Sequence, residues 1–250
     1  MATNRFHDYL RDFLCRQNTW RLISEASSSD VKAINAPQHL TWLKDHQDQH
    51  PYREIMLVFD GCGCASLNGQ VYPYQTGDVF VFDPFDCHDS YYPATTESGL
   101  HLWIRMAHHM ITGGMVTISR GQTESLPQTS FALDNASLTA VVGSALTNAR
   151  NSSETEAIRH REVSATLALL LAFILENDRC EGKTASGSNR QAKIIHSIQE
   201  HIDQTGGEGL NLDNLAKLAG YSKYHFARLF KAHLGRRKNV AGGCASGIRH

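Results

Sequence analysis

The spacing of apolar positions changes several times along the chain, and each change predicts a different element. Residues 6–15 predict a short amphipathic helix. The rest of the segment up to Asp48 is weakly patterned, with short strands expected at Trp20–Ile23 and His39–Leu43. From Tyr52 the runs become short and β-rich: Arg53–Gly61, Cys64–Tyr74, Asp78–Pro84 and Gly99–Met106. Gly61, Asn68-Gly69, Gly77-Asp78 and Pro84 punctuate them, and Asn-Gly between alternating runs is a strong short-range hairpin signal. Closely spaced strands with such turns predict a small antiparallel barrel. The strand pattern fades after about Thr112, and residues 135–151 and 155–177 predict helices. Ala168–Leu175 (ALLLAFIL) is apolar nearly all round, as in a helix buried within a domain or at an interface.

Residues 180–189 (CEGKTASGSN) have no periodicity and the composition of a flexible tether. In Arg190–Gln204, Ile194, Ile195, Ile198 and Ile202 form one apolar stripe. Asn211–Gly235 then predicts two short helices joined by a tight turn. Leu212, Leu215, Ala216, Leu218 and Ala219 face one way in the first. Gly220 can leave the helix at positive φ, and Ser222 caps the next. In the second, Phe226, Leu229, Phe230 and Leu234 form a buried face opposite Lys223, Arg228 and Lys231. This is the layout of a helix-turn-helix, whose second helix enters the major groove of DNA.

Charge sharpens that reading. Of 24 Lys and Arg in the 250 residues, seven lie between Ser222 and the end, where there is no Asp or Glu; the remainder carries 17 basic against 25 acidic residues. A basic end on an acidic body suits a phosphate backbone. The six cysteines are scattered, which fits reduced thiols, and no run is apolar enough for a signal peptide or a bilayer span, so a cytoplasmic location without membrane contact is expected. No nucleophile elbow, phosphate loop or dinucleotide fingerprint occurs, so no catalytic residues and no enzyme activity are expected.

The string GYSKYHFARLFKAHLG, residues 220–235, resembles the first helix-turn-helix of the AraC/XylS-type transcription regulators. The resemblance is carried by Leu215, Ala216, Gly220, Tyr221, Ser222, Phe226, Arg228, Leu229, Phe230, Lys231 and Gly235. It implies that Tyr224, Ala227 and Arg228 reach base edges, Arg228 towards guanine and Ala227 towards a thymine methyl. Lys223, His225 and Lys231 would lie near phosphates, with Ser222 opening the recognition helix. His50, Glu54 and Gly61, followed by Asn68-Gly69, Gly77-Asp78 and a Pro84-x-x-x-His88 corner, resemble the cupin-type sensor domain of the same family. Alternation puts His101, Trp103 and Arg105 on one side of a strand and Leu102, Ile104 and Met106 on the other. The His-x-Trp pair is similar to the one lining the sugar pocket of the arabinose-sensing member. Two pocket positions depart: Asp60 replaces an arginine and Ser90 a tyrosine. The ligand-binding candidates are therefore His50, Glu54, His88, Ser90, His101, Trp103 and Arg105, for a small-molecule effector with sugars among the candidates. Asp48, His50, Glu54 and His88 offer a metal set, and Cys62, Cys64, Cys87 and His88 a zinc set; neither is assigned, and no cofactor is expected.

The family pattern continues well past Gly235 into a second helix-turn-helix, whereas this chain reads RRKNVAGGCASGIRH, a stretch expected to be disordered and to leave the DNA-binding region incomplete. The expected fold class is α+β in two domains. Residues 1–180 would form a cupin-like antiparallel β-barrel with dimerisation helices, 181–189 a linker, 190–235 an all-α helix-turn-helix, and 236–250 an atypical tail. The expected function is a ligand-responsive regulator that binds double-stranded promoter DNA as a homodimer. The alternatives are a cupin metalloenzyme, an oxygenase or isomerase, and a sensor and dimerisation protein with impaired DNA binding.

Overall fold

The computed structural model describes residues 2–25, 31–89, 92–107, 110–181, 187–206 and 211–243. In chain order these form α1 (Ala2–Cys15), β1 (Arg21–Ile23), α2 (Pro37–Leu43), β2 (Gln47–Asp48), β3 (Arg53–Leu67), β4 (Gln70–Gln75), β5 (Asp78–Phe82), β6 (His88–Asp89), β7 (Ser98–Ala107), β8 (Met110–Ser119), β9 (Gln122–Ser125) and β10 (Phe131–Asp134). Five helices follow: α3 (Ala136–Asn151), α4 (Glu156–Glu181), α5 (Gly187–Thr205), α6 (Leu212–Leu218) and α7 (Lys223–Gly243). The class is α+β, with a large mixed sheet followed by helices.

The sheet runs β1-β5-β3-β7-β8-β10, with β1 and β5 parallel and the other pairs antiparallel. β3 organises it. Its first half pairs with β5 and β7, and its second half with β4. The register shifts between Val58 and Asp60, and Gly61 follows at φ +99°, where an added Cβ would sit 2.5 Å from the Ser98 carbonyl oxygen. A bulge beside a glycine bends a strand, so one strand serves two sets of partners. Asn68 and Gly69 have φ of 49° and 78°, the paired left-handed residues of a two-residue hairpin, as Asn-Gly predicts.

Alternation along β3 and β7 buries both faces. Ile55, Leu57, Leu102, Ile104 and Met106 join a core with Phe6, Leu10, Val142, Leu146, Leu167 and Leu170 of the covering helices α1, α3 and α4. Met56, Val58, Phe80 and Phe82 face the other way, packing with Tyr72, Tyr74 and Ile23. α3 starts where Asn135 accepts a hydrogen bond from the Leu138 amide, at 2.9 Å. α4 is two-sided: Val163, Leu167, Leu170, Leu171 and Ile174 are buried, but Leu169 and Phe173 are each 45% exposed.

Ile194, Ile195 and Ile198 of α5 pack with Ala216, Leu218, Ala219 and Phe226 of α6 and α7, and with Tyr52, Ala107 and Met110 of the sheet region. Lys217 pairs with Asp48, and the Thr112 hydroxyl donates to the Leu218 carbonyl, so the last helices are docked on the sheet.

Four local expectations are corrected. His39–Leu43 is helical: Pro37 opens α2 with its preset φ, and the Thr41 hydroxyl bonds back to the Pro37 carbonyl at 2.9 Å. Strands continue beyond Thr112 through β8, β9 and β10; in Met110–Ser119 the small residues Gly113 and Gly114 interrupt the alternation, while the Phe131 ring lies where a Cβ on Gly113 would be. The tether shrinks from both ends, because α4 runs to Glu181 and α5 begins at Gly187; residues 182–186 lie outside the described residues. Finally, α7 continues through Arg236 to Gly243, so only 244–250 of the expected disordered tail lies outside the described residues.

Candidate functional site

Four of the predicted ligand-binding residues meet around one carboxylate. Glu54 on β3 is in register with Arg105 on β7 and Phe82 on β5. Arg105 Nε lies 2.7 Å from Glu54 Oε1. The Nε2 atoms of His50 and His88 lie 3.3 and 3.1 Å from Oε2. Each imidazole is held from behind: His50 Nδ1 is 2.8 Å from the Tyr52 carbonyl and His88 Nδ1 is 3.0 Å from that of Asp86. A carbonyl only accepts, so Nδ1 carries a proton in both rings and Nε2 is the atom offered to Glu54. Burial alone would push the Glu54 carboxyl up, but Arg105 and the two imidazoles outweigh it and hold the carboxyl well below the usual range. Burial works to lower His88, yet its hydrogen bond to Glu54 and that carboxylate's charge raise it. The arrangement is a carboxylate gripped by a guanidinium on one oxygen and by two imidazoles on the other.

One ligand atom from each of His50, Glu54 and His88 lies within 4.8 Å of the others. Two imidazole nitrogens and a carboxylate oxygen are a donor set suited to a divalent transition metal. Asp48 is not part of it, because its carboxylate is taken by Lys217. The cysteine set does not assemble either. Cys62 and Cys64 pair across to β4, Cys87 Sγ contacts Gln47 Oε1 at 3.4 Å, and the His88 ring turns to Glu54.

A second polar line runs along the same side of β7. As the alternation predicts, Leu102, Ile104 and Met106 face the helices while His101 and Trp103 face the other way. Trp103 stacks on Phe82 at 5.9 Å, and its Nε1 donates to the Tyr92 hydroxyl at 2.9 Å. That hydroxyl is 2.7 Å from His101 Nδ1. His101 is fully buried, and burial lowers its pKa to about 3, so the ring is neutral and shares one proton with the Tyr92 hydroxyl at Nδ1. Its Nε2 is a buried polar atom with no hydrogen-bond partner among the described residues. Such a group is costly unless something fills its valence.

Tyr92 went unnoticed in the sequence. The signal was present: a tyrosine is missing at Ser90, and Tyr92 two positions later supplies a phenol to His101 and Trp103. Ser90 itself lies outside the described residues. A second missed group is Arg53, Asp83, Asp86 and Arg150. Arg53 Nε donates to Asp83 Oδ1 at 2.6 Å, and Arg150 NH1 reaches Asp83 Oδ2 at 3.0 Å and Asp86 Oδ1 at 3.3 Å. Asp83 and Asp86 flank the Pro84 corner, and the Asp83 amide donates to Asp86 at 2.8 Å, a local turn bond.

The second candidate surface is α6–turn–α7. Asn211 caps α6 by accepting from the Asn214 amide at 2.9 Å. The helix ends with the Tyr221 amide bonded to the Ala216 carbonyl and the Gly220 amide to that of Lys217, with Gly220 at φ +72°. This is a Schellman turn, which needs the left-handed residue that Gly220 supplies. Ser222 starts α7, its carbonyl accepting from the Phe226 amide at 2.9 Å. Phe226 is fully buried, while Tyr224 is 88% exposed and Arg228 and Lys231 are also exposed. Positions 224, 228 and 231 share one helix face. His225 and Ala227 are half-buried, and Lys223 is held by Asp213 at 2.8 Å.

No protein-family model matches the chain, and no solved structure matches it.

Proposed function

We propose that the chain is a ligand-responsive, DNA-binding transcription regulator of the AraC/XylS type, acting in the cytoplasm as a homodimer. The observation that carries this reading is the Schellman turn at Gly220. It leads into a helix anchored inward by Phe226 and presenting Tyr224, Arg228 and Lys231 outward. An exposed cationic and aromatic stripe on the first turns of a helix that follows a short helix and a tight turn is what a major-groove reader needs. Arg228 pairs with a base edge, Tyr224 and Ala227 lie beside it, and Ser222, Lys223, His225 and Lys231 approach phosphates. In the cupin-like sheet region the effector meets His50, Glu54, His88, Ser90, His101, Trp103 and Arg105. A sugar hydroxyl, which can donate or accept, suits a stacked indole beside an unpaired imidazole nitrogen. The exposed Leu169 and Phe173 of α4 support pairing of two chains. Effector and DNA are then linked through the docking of α5 and α6 on the sheet region.

One observation favours a second reading, a metal-dependent cupin enzyme: the convergence of His50, Glu54 and His88. Against it stands Arg105, whose guanidinium already neutralises Glu54. Elemental analysis of the purified chain tests it: stoichiometric iron, manganese or zinc that is lost in His88→Ala favours the enzyme reading.

The regulator reading is tested by salt-titrated binding of the full chain to random duplex and to the DNA upstream of its own gene. Specific binding abolished by Arg228→Ala supports it, with a salt slope that counts the phosphates contacted. Binding indifferent to sequence and to Arg228 leaves a sensor and dimerisation protein.

A further inference from the structure

A cleft of about 1200 Å³ lies where the sheet region, α3 and the docked helices meet. One wall is the start of β3 with the 83–85 corner, the second is α3 from Thr139 to Arg150, and the third is His201 of α5 with Asn214 of α6. It adjoins the first site through His50, which belongs to both, but none of His101, Trp103 and Arg105 lines it.

Three features of the cleft point to a ligand. Phe85 lines it, is 62% exposed, and has φ +68°, a left-handed conformation unfavourable for an aromatic residue. Its backbone is fixed there by two bonds, from the Phe85 amide to the His50 carbonyl at 2.8 Å and from Gln49 Nε2 to the Phe85 carbonyl at 2.7 Å. Strain of this kind collects at binding sites, and an exposed ring is a stacking surface. Tyr52 also lines the cleft. It is 2% exposed, lies flat on His50 with ring centres 3.7 Å apart, and its hydroxyl has no hydrogen-bond partner among the described residues. A buried hydroxyl left unpaired is costly, and a ligand group would satisfy it. Thirdly, the charges in the wall cancel: Arg53 and Arg150 are matched by Asp83 and Asp86. Beside these pairs the cleft presents the uncharged Ser144, Asn148 and Asn214 and the imidazoles of His50 and His201.

We propose that this cleft is a second small-molecule site, taking a neutral ring that bears hydroxyl groups, stacked on Phe85 and hydrogen-bonded to Tyr52 and Asn214. A free sugar and the ribose of a nucleoside share that chemistry. The site stands on the cleft alone; its consequence for DNA rests on the regulator reading. A ligand held between Phe85 and Asn214 bridges the sheet region and the DNA-binding helices and stabilises their docked arrangement.

Calorimetric titration of the full chain tests this with D-ribose, D-glucose and D-galactose as one set and adenosine and uridine as the other, beside glucosamine and glucuronate as charged analogues. The expected result is binding by a member of one neutral set, which also identifies the source. Tyr52→Phe loses one hydrogen bond without changing the packing, and weakens that binding about tenfold. Phe85→Gly, which suits the backbone at φ +68°, weakens it by at least as much. Asn214→Ala gives the same loss from the opposite wall. Thermal unfolding of each variant verifies the fold, and Tyr52→Phe, which removes an unpaired group, unfolds no lower than the parent. The proposal is overturned by binding of the charged analogues only, by no binding from either neutral set, or by affinity lost in Trp103→Ala but kept in Tyr52→Phe and Phe85→Gly. DNA binding is measured separately with Arg228→Ala, so failure of the cleft and failure of the regulator reading give different results.

Discussion

Arg105 and Glu54 stand opposite each other in the register of β7 and β3, with Nε 2.7 Å from Oε1, and both side chains are largely buried. Removing the guanidinium leaves the buried Glu54 carboxylate with only the two imidazoles to answer its charge. Arg105→Met is therefore expected to destabilise the fold by about 3–5 kcal/mol. Arg105→Met combined with Glu54→Gln recovers part of that loss. Urea unfolding of the two single variants and the double variant measures it; equal destabilisation in single and double variants would contradict the pairing.

Acid should destabilise the fold through His101. Its folded pKa, about 3, lies below the ordinary 6.5. The unfolded chain thus binds the extra proton first, and the contribution is fully present above 6.5 and lost as pH falls towards 3. At about 1.4 kcal/mol per unit the slope is steep enough to read. Glu54, held low, adds the same sign below its ordinary 4.5, whereas the raised His88 acts oppositely, losing its contribution as pH climbs past 6.5. Between 4.5 and 6.5 the His101 slope should dominate. Unfolding free energies at pH 6.5 and 5 should differ in the parent and differ less in His101→Gln.

Two glycines separate steric from dihedral strain. Gly61 and Gly69 both have positive φ, but a Cβ on Gly61 would meet the Ser98 carbonyl at 2.5 Å, while at Gly69 nothing lies within 4 Å. Gly69→Ala is expected to cost about 1 kcal/mol and Gly61→Ala about 2–4 kcal/mol. Thermal unfolding gives the order, and equal losses would mean that the bend of β3 relaxes freely.

Neighbouring leucines of α4 should behave differently. Leu170 is fully buried, so Leu170→Ala should destabilise by about 2–5 kcal/mol. Leu169, 45% exposed, sits on the face assigned to chain pairing. Leu169→Glu should leave a folded monomer, read by light scattering; a dimer that persists in Leu169→Glu and in Phe173→Glu places the interface elsewhere.

Much of the secondary structure was legible because its signals are local. The Asn68-Gly69 turn, the alternation through His101–Met106, the Ser222 helix start and the Gly220 turn each depend on residues within a few positions. The helical start at Pro37 was misread because the pattern of His39–Leu43 is too short to give a period. The grouping of His50, Glu54 and His88 was also visible, since two of them share a short motif and the third sits at a marked corner.

The chain by itself therefore determined the α+β class, the strands from Arg53 to Met106, the helices that follow Asn135, the outward basic stripe of α7 and most of the polar side of β7. Only the tertiary structure decided which polar groups answer one another. Asp48 and Lys217 are 169 positions apart, and their pairing removes Asp48 from the histidines it adjoins in sequence. Arg53 and Arg150 converge on Asp83 from β3 and α3, Tyr92 reaches His101 from a loop, and α4 buries one side of a segment apolar on both. The physical reason is that hydrophobic period fixes an element and its buried face, whereas a charge or hydroxyl takes its partner from the neighbour that register and helix docking bring within about 3 Å.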